Sequence, residues 1–315
     1  MKTVSLLVTG ATGMQGGAVA LAAHAAGIEV TALVRDPESV PARSLAAKGI
    51  RLAKGNLDDP ASLDVACAGH TAVFSVQPAP SRRDADSERR QGGNLAEAAA
   101  QAGVAHLVHT SVSGTGWRAR YPHVDPGPMA NYWSSKEDVE AMVRSAGPAW
   151  TILKPAFFFD NFVEPKASRM FSLLAEGELL VACTPDTRVA GIGSEDFGAV
   201  AAAVLTDAER FAGAEIELGS DACTYPEMAS ALTEVTGRTV TAVCRPAEEV
   251  DERLGKRSWS ATQVWLNEVG YPARPAHAAE YGLTVDTSFR QWAQAHRDGL
   301  LAATAPKSAS ALHAR

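Results

Sequence analysis

Cysteine is scarce in this chain of 315 residues. There are four, Cys67, Cys183, Cys223 and Cys244, too far apart in sequence to form a metal-type pair. They read as free thiols in a reducing compartment, most of them buried, and no metal centre is expected. Long apolar runs are missing too: no segment approaches the roughly 20 apolar residues of a membrane span. Basic charge is in deficit. Lys and Arg number 29 against 36 Asp and Glu, for a formal charge of −7 and a pI near 5.6. That balance argues against nucleic acid as a partner, because binding a phosphate backbone needs a clustered basic surface. The one basic cluster, Arg82-Arg83 with Arg89-Arg90, is interleaved with Asp84, Asp86 and Glu88 and reads as a solvated helix face. From Thr3 to Ile28 there is no Asp, Glu, Lys or Arg, which after Lys2 loosely imitates a signal peptide. Its glycines and strand-then-helix pattern argue against one, so a soluble cytoplasmic protein without a membrane role is expected. No internal repeat is evident, and the Ala/Ser-rich tail 302–315, with no apolar period, is expected to be disordered.

What is present begins at the first turn. The apolar run Val4 to Thr9 feeds Gly10-Ala11-Thr12-Gly13-Met14-Gln15-Gly16-Gly17 and then the Ala-rich stretch Ala18 to Ala26, a strand, a glycine turn and a helix. Such a turn leaves backbone N–H groups at the positive end of the helix dipole, where they bind phosphate. Gly10 would permit the tight turn, Gly13 the close approach of a pyrophosphate and Gly16 the contact of helix with strand. The spacing, G-x-x-G-x-x-G, is one residue longer than the dinucleotide fingerprint G-x-G-x-x-G. Strands at 29–34, 50–54, 71–76 and 106–110 alternate with helices at 39–48, 60–67 and 84–103, which indicates a parallel sheet with right-handed crossovers. The expected fold class is α/β, a Rossmann-type doubly wound parallel sheet with a smaller C-terminal α+β substrate lobe. Residues 1–155 would bind the nucleotide, with 189–210 returning to that domain, and 156–300 would form the lobe.

Several stretches together resemble the NmrA-like branch of the short-chain dehydrogenase/reductase superfamily: Thr9 to Gly17, Ala32-Leu33-Val34-Arg35-Asp36-Pro37, Phe74-Ser75-Val76-Gln77-Pro78 and Ile152-Leu153-Lys154-Pro155-Ala156-Phe157-Phe158. The resemblance runs in order from about residue 3 to about residue 240. It implies a nicotinamide dinucleotide held by Gly10, Thr12, Gly13, Met14, Gln15 and Gly16. Arg35 stands where the family carries its phosphate-binding arginine, and a guanidinium suits the 2′-phosphate of NADP(H), although Asp36 beside it could repel a second phosphate. Asn56 and Leu57 fall beside the adenine in this reading, Asp59 would cap the helix that starts at Pro60, and Ser75 and Gln77 end the fourth strand at the ligand edge of the sheet. Pro155 and Phe157 complete the cofactor set.

Catalytic candidates lie further along. Ser111, just past the fifth strand, matches the superfamily serine that bonds the reacting oxygen, though turn serines also bond their own backbone. Tyr132 and Lys136 have the Y-x-x-x-K spacing that puts both on one helix face, where the ammonium would lower the phenol's pKa and, in the family reading, hold the nicotinamide ribose. Against this, Ser134-x-x-Glu137 has the form of a capping box, which would start the helix at Ser134 and leave Tyr132 outside it. His123 is an alternative proton donor. Phe157, Phe158, Phe159 and Phe162 would floor an apolar pocket or pack the lobes together. Helices at 247–254 and 260–269 would roof the cleft, with Trp259, Trp265 and Tyr271 as pocket or lid residues, though tryptophans at this density usually serve packing first. The expected activity is an NADPH-dependent reduction of a carbonyl, quinone or conjugated double bond in an apolar or aromatic small molecule, with a homodimer possible. The alternative is a non-catalytic NADP(H) sensor acting on a regulatory protein partner.

Overall fold

The computed structural model describes residues 4–255 and 259–306. β1 (Ser5–Val8) runs through the glycine turn into α1 (Met14–Ala25), followed by β2 (Glu29–Val34), α2 (Val40–Ala46), β3 (Arg51–Lys54), α3 (Pro60–Cys67) and β4 (Ala72–Ser75). Next come α4 (Ser87–Gln101), β5 (His106–Thr110), α5 (Ala130–Ser145) and β6 (Ala149–Pro155). The chain then leaves through β7 (Phe157–Phe158), α6 (Ala167–Met170), β8 (Glu178–Val181) and β9 (Val189–Ile192), and returns with α7 (Ser194–Thr206), α8 (Ala208–Phe211) and β10 (Ala214–Leu218). It finishes with β11 (Asp221–Cys223), α9 (Tyr225–Thr236), β12 (Thr241–Cys244), α10 (Ala247–Leu254), α11 (Ser260–Glu268), α12 (Pro275–Glu280), α13 (Phe289–Ala295) and α14 (Arg297–Ala303).

Seven strands form one sheet in the order β10-β6-β5-β4-β1-β2-β3, and every pairing in it is parallel. The strand order reverses between β1 and β4, and ligands of this architecture bind at the carboxyl ends beside that point. β4 and β5 are buried along their whole length, as central parallel strands must be with helices on both faces. α1 and α7 cover one face so closely that a Cβ on Gly198 would fall 2.7 Å from the Ala18 carbonyl oxygen. Leu95, Val139 and Val143 of α4 and α5 fill the other face.

A second apolar core lies between β7 and the C-terminal helices, built on Phe159, Phe162, Phe171, Phe289 and Trp292. Beside it stand the sheet β11-β9-β7 and the parallel pair β12-β8.

Two expectations are corrected. β10, assigned from sequence to the small lobe, is the outer strand of the main sheet. It is a parallel partner of β6, and α12 with Leu283 and Val285 packs with it in the first core. The tail does not begin at 302, because α14 runs to Ala303 and Thr304 is buried; residues 307–315 lie outside the described part. No helix among the described residues is long and apolar enough to cross a membrane.

Candidate active site

The first turn is built as its glycines require. Gly10 has φ +58°, a region that side chains rarely adopt. At Gly16 a Cβ would lie 2.5 Å from the Thr9 carbonyl oxygen, so only glycine lets α1 close on the end of β1. Gly13 is the N-cap of α1; no side chain caps it, and no acidic residue stands in the first turn. Those amides therefore point at an anion site with nothing of the protein's own to fill it. Thr9, not singled out from the sequence, ties the turn to β4. Its Oγ1 lies 3.1 Å from the carbonyl oxygens of both Phe74 and Val76 and accepts the Val76 N–H at 2.8 Å.

Arg35, past the end of β2, is exposed, with no partner for its guanidinium among the described residues. Asp36 turns away into a local turn, accepting the Glu38 N–H at 2.9 Å. Asn56 is exposed, its side-chain Oδ1 accepting the Asp58 N–H, and the Leu57 backbone carbonyl accepts from the Asn94 side-chain amide. Asp59 stands at the N-cap of α3 but makes no capping bond, and Asp58 is drawn to Arg90 at 2.8 Å. The basic cluster is in part a solvated face, with Arg82, Arg83 and Arg90 exposed and Arg89 half-buried. Arg90 joins Asp58 and Asp84, while Arg89 crosses to Asp138, Asn131 and Ser134 of α5.

At the sheet edge, Ser75 Oγ lies 3.1 Å from His109 Nδ1 and accepts from the Gln77 amide at 3.0 Å, while Gln77 Oε1 and His109 Nε2 are buried without a hydrogen-bond partner. Burial, with the nearby Lys136 charge, pushes the His109 pKa down to about 3, so this ring is neutral. Gln15 of α1 accepts the Thr110 hydroxyl at 2.8 Å. Ser111 donates its hydroxyl to Glu140 at 2.6 Å, which leaves only its lone pairs for any other group.

α5 begins at Ala130, after a 3₁₀ turn over Gly127–Met129, so the capping-box alternative fails: the Ser134 hydroxyl donates back to the Ala130 carbonyl inside the helix. Tyr132 and Lys136 do share a face, with the ammonium 5.8 Å from the phenol ring centre. The expected effect on the phenol is reversed, however. Lys136 is bound at 2.5 Å to Glu88 of α4, which is 1% exposed and also accepts the Ser135 hydroxyl. Burial, and then the Glu88 charge, hold the Tyr132 pKa well above the ordinary phenol value, so it stands as a phenol. Glu88 was read as part of a solvated charge run. Its burial depends on partners 47 and 48 residues onward, and no local pattern signals that.

Part of this set opens on one cleft of roughly 630 Å³ between the sheet edge and the second lobe, whereas the turn glycines, Arg35, Asn56, Leu57 and Ser75 do not line it. Gln15, Gln77, Ser111, Tyr132, Lys136 and Pro155 line its sheet side, with Phe157 and Phe158 beside them. Thr262, Gln263 and Leu266 of α11 roof it, together with Trp259 and Tyr271, whereas Trp265 packs inward on Trp117 and Trp133. Phe159 and Phe162 do not reach the cleft. Both are fully buried against Phe289 in the lobe core. His123 is exposed on its loop and is not a lining residue. Asp160, Glu195 and His296 come within ligand distance of one another. Asp160 is taken by the N–H and hydroxyl of Ser194, and Glu195 by His296, so no metal is assigned there. All four cysteines are free.

Residues 2–294 match the NmrA-like family. The (4-alkanoyl-5-oxo-2,5-dihydrofuran-3-yl)methyl phosphate reductase of Streptomyces griseus is 30% identical over 301 residues, which span 96% of this chain and 90% of that protein. The NAD(P)H azoreductase of Xenophilus azovorans is 28% identical over 304 residues, 92% of this chain and 97% of that protein. The NADPH-dependent quinone oxidoreductase of Escherichia coli, solved with NADPH, shares the fold with a TM-score of 0.74 at 23% identity, over 92% of this chain and 99% of that one. With a seven-stranded parallel sheet, an uncapped glycine turn and a match over nearly its whole length, the chain belongs to the NmrA-like family.

Proposed function

We propose that the protein is an NADPH-dependent oxidoreductase that reduces a carbonyl, quinone or conjugated double bond of an apolar or aromatic small molecule. One observation carries the reading: a single cleft is lined by Gln15 from the phosphate-binding turn and by Tyr132 and Lys136, so cofactor and proton donor open on the same space. The chain fits the dinucleotide. Uncapped amides from Met14 to Gly16, with Gly10, Thr12 and Gly13 beside them, would hold the diphosphate, and the unpartnered Arg35 the 2′-phosphate. Asn56 and Leu57 would border the adenine, and Ser75, Gln77, Pro155, Phe157 and Lys136 the nicotinamide half. When bound, the cofactor supplies hydride.

The remaining work falls to the chain itself. Tyr132, kept protonated by burial and by Glu88, donates a hydrogen bond or its proton to the substrate oxygen. Phe157 and Phe158 hold a flat acceptor and keep water out of the cleft. Ser111 positions the loop after β5 through Glu140. Relatives named for reducing a furanone phosphate, azo compounds and quinones support a conjugated, electron-poor acceptor. A sensor would need only the turn and Arg35, and the donor-lined cleft favours the enzyme. Neither a homodimer nor a regulatory partner enters the proposal; a reducing cytoplasm fits the free thiols.

The test follows NADPH consumption with 1,4-naphthoquinone or an azo dye. Tyr132→Phe should lower kcat about 100-fold. Arg35→Ala should weaken NADPH binding about tenfold or more and leave NADH within about twofold. Tight NADPH binding with no turnover of any such acceptor would sink the enzyme reading.

A further inference from the structure

The cleft contains a cation, the Lys166 ammonium, that forms no ion pair among the described residues. Lys166 stands just before α6 and is half-buried. Its only polar contact among the described residues is the Met14 thioether, 3.5 Å from Nζ, a weak acceptor at the first residue of α1. The nearest acid by charge, Asp160, gives both oxygens to Ser194. Burial lowers the Lys166 pKa and the weaker pull of Asp160 offsets this only in part, so the site bears a desolvation cost that a bound anion would relieve. Two further donors face the same space. Asn161, 8% exposed, lines the cleft with no side-chain hydrogen bond, and the Gln15 amide nitrogen is left over once Gln15 Oε1 has taken the Thr110 hydroxyl.

We infer that Lys166, with the Asn161 and Gln15 amides, forms an oxyanion subsite at the end of the cleft next to the glycine turn, and that it takes a phosphate, sulfonate or carboxylate group. The anion has two possible sources, the cofactor's diphosphate beside Met14 or an anionic substituent on the substrate. The first source rests on the NADPH reading and the second does not, because an anionic aromatic can be titrated without cofactor.

The test is Lys166→Met, which keeps the apolar stem against Met14 and removes the charge, with Lys166→Arg as the rescue. Tryptophan quenching would report the Kd values for NADPH, NADH, 9,10-anthraquinone-2-sulfonate and its uncharged 2-hydroxymethyl analogue. If the diphosphate is the occupant, Lys166→Met weakens NADPH and NADH equally, by about tenfold, and leaves the sulfonate unchanged. If the substrate supplies the anion, the sulfonate weakens about tenfold, the neutral analogue stays put and both dinucleotides are unaffected. In either case Lys166→Arg restores most of the loss, and the wild-type affinity falls as salt rises. Unchanged Kd values for all four probes, or equal losses for the charged and neutral anthraquinones, would overturn the subsite. A wild-type protein that binds the sulfonate through Lys166 but neither dinucleotide would defeat the cofactor reading and leave this one standing.

Discussion

The reversal at Tyr132 makes Glu88 the position to perturb. Glu88→Gln keeps an oxygen for the Lys136 ammonium at the 2.5 Å contact and for the Ser135 hydroxyl, but removes the negative charge that compensates a lysine only 8% exposed. Removing one member of a buried pair costs about 3–5 kcal/mol, and the retained acceptor argues for about 3. At roughly 2 °C per kcal/mol for a chain of this size, the melting midpoint should fall by about 6 °C. The second readout separates an electrostatic role from a merely structural one. With Tyr132 as the proposed phenol donor, kcat/KM should be highest when it is protonated and fall as pH rises through its pKa. In the wild type that pKa is raised, by burial first and by Glu88 second, so the basic limb should be absent up to about pH 10, the ordinary phenol value. Without the Glu88 charge, Lys136 lies unopposed 5.8 Å from the ring, and the basic limb should move to lower pH. Thermal denaturation followed by a pH series of quinone reduction tests both. A variant with the wild-type melting midpoint and an unmoved basic limb would refute the coupling of Glu88 to Lys136 and Tyr132.

Other consequences are simpler. Phe159→Ala should cost about 3–5 kcal/mol, because the ring is fully buried on Phe289 and Trp292, and should leave KM for the acceptor unchanged; a large rise in KM at an unchanged melting midpoint would return Phe159 to the cleft. His106 and His109 are held neutral by burial, at about 4 and about 3, against an ordinary value near 6.5. The unfolded chain then binds more protons than the folded one below pH 6.5. Stability should therefore be full above that pH and fall as the pH drops toward 4, by roughly 1.4 kcal/mol per pH unit for each ring. Denaturant titrations from pH 7 to 4 check this, and His109→Gln should flatten the slope by about half.

How much of this was legible in the sequence depended on how local each signal was. α3 runs from Pro60 to Cys67, the span expected, because a proline at the first helical position and an apolar period are both contained in eight residues. The glycine turn could be read for the same reason, since φ at Gly10 and the contact at Gly16 are set within one strand-turn-helix unit. β10 shows the limit. Its Glu215-Ile216-Glu217-Leu218 alternation correctly announces a strand, but choosing the main sheet depends on Lys154 and Arg144, which meet Glu215 at 2.5 and 2.6 Å from more than 60 residues upstream. The start of α5 was ambiguous because Ser134 and Glu137 form a capping-box pattern. The 3₁₀ turn at Pro128 had already begun the helix. The phenylalanine run was divided by geometry that composition does not carry: Phe157 and Phe158 come off β6 facing the cleft, whereas the 3₁₀ turn that follows rotates Phe159 and Phe162 into the lobe.

The route of the chain after β6 bears on how substrates enter. It leaves for β7 and β9, returns for α7 and β10, departs again for β11 and α9, comes back for α12 and goes out once more to α13. Lobes stitched together by so many strands of covalent thread cannot swing apart on a single pivot, as two bodies joined by one connector can. The gap between them should therefore keep its width as ligands enter, and under the proposed reductase reading flat conjugated acceptors should be turned over faster than bulky saturated ones of equal polarity.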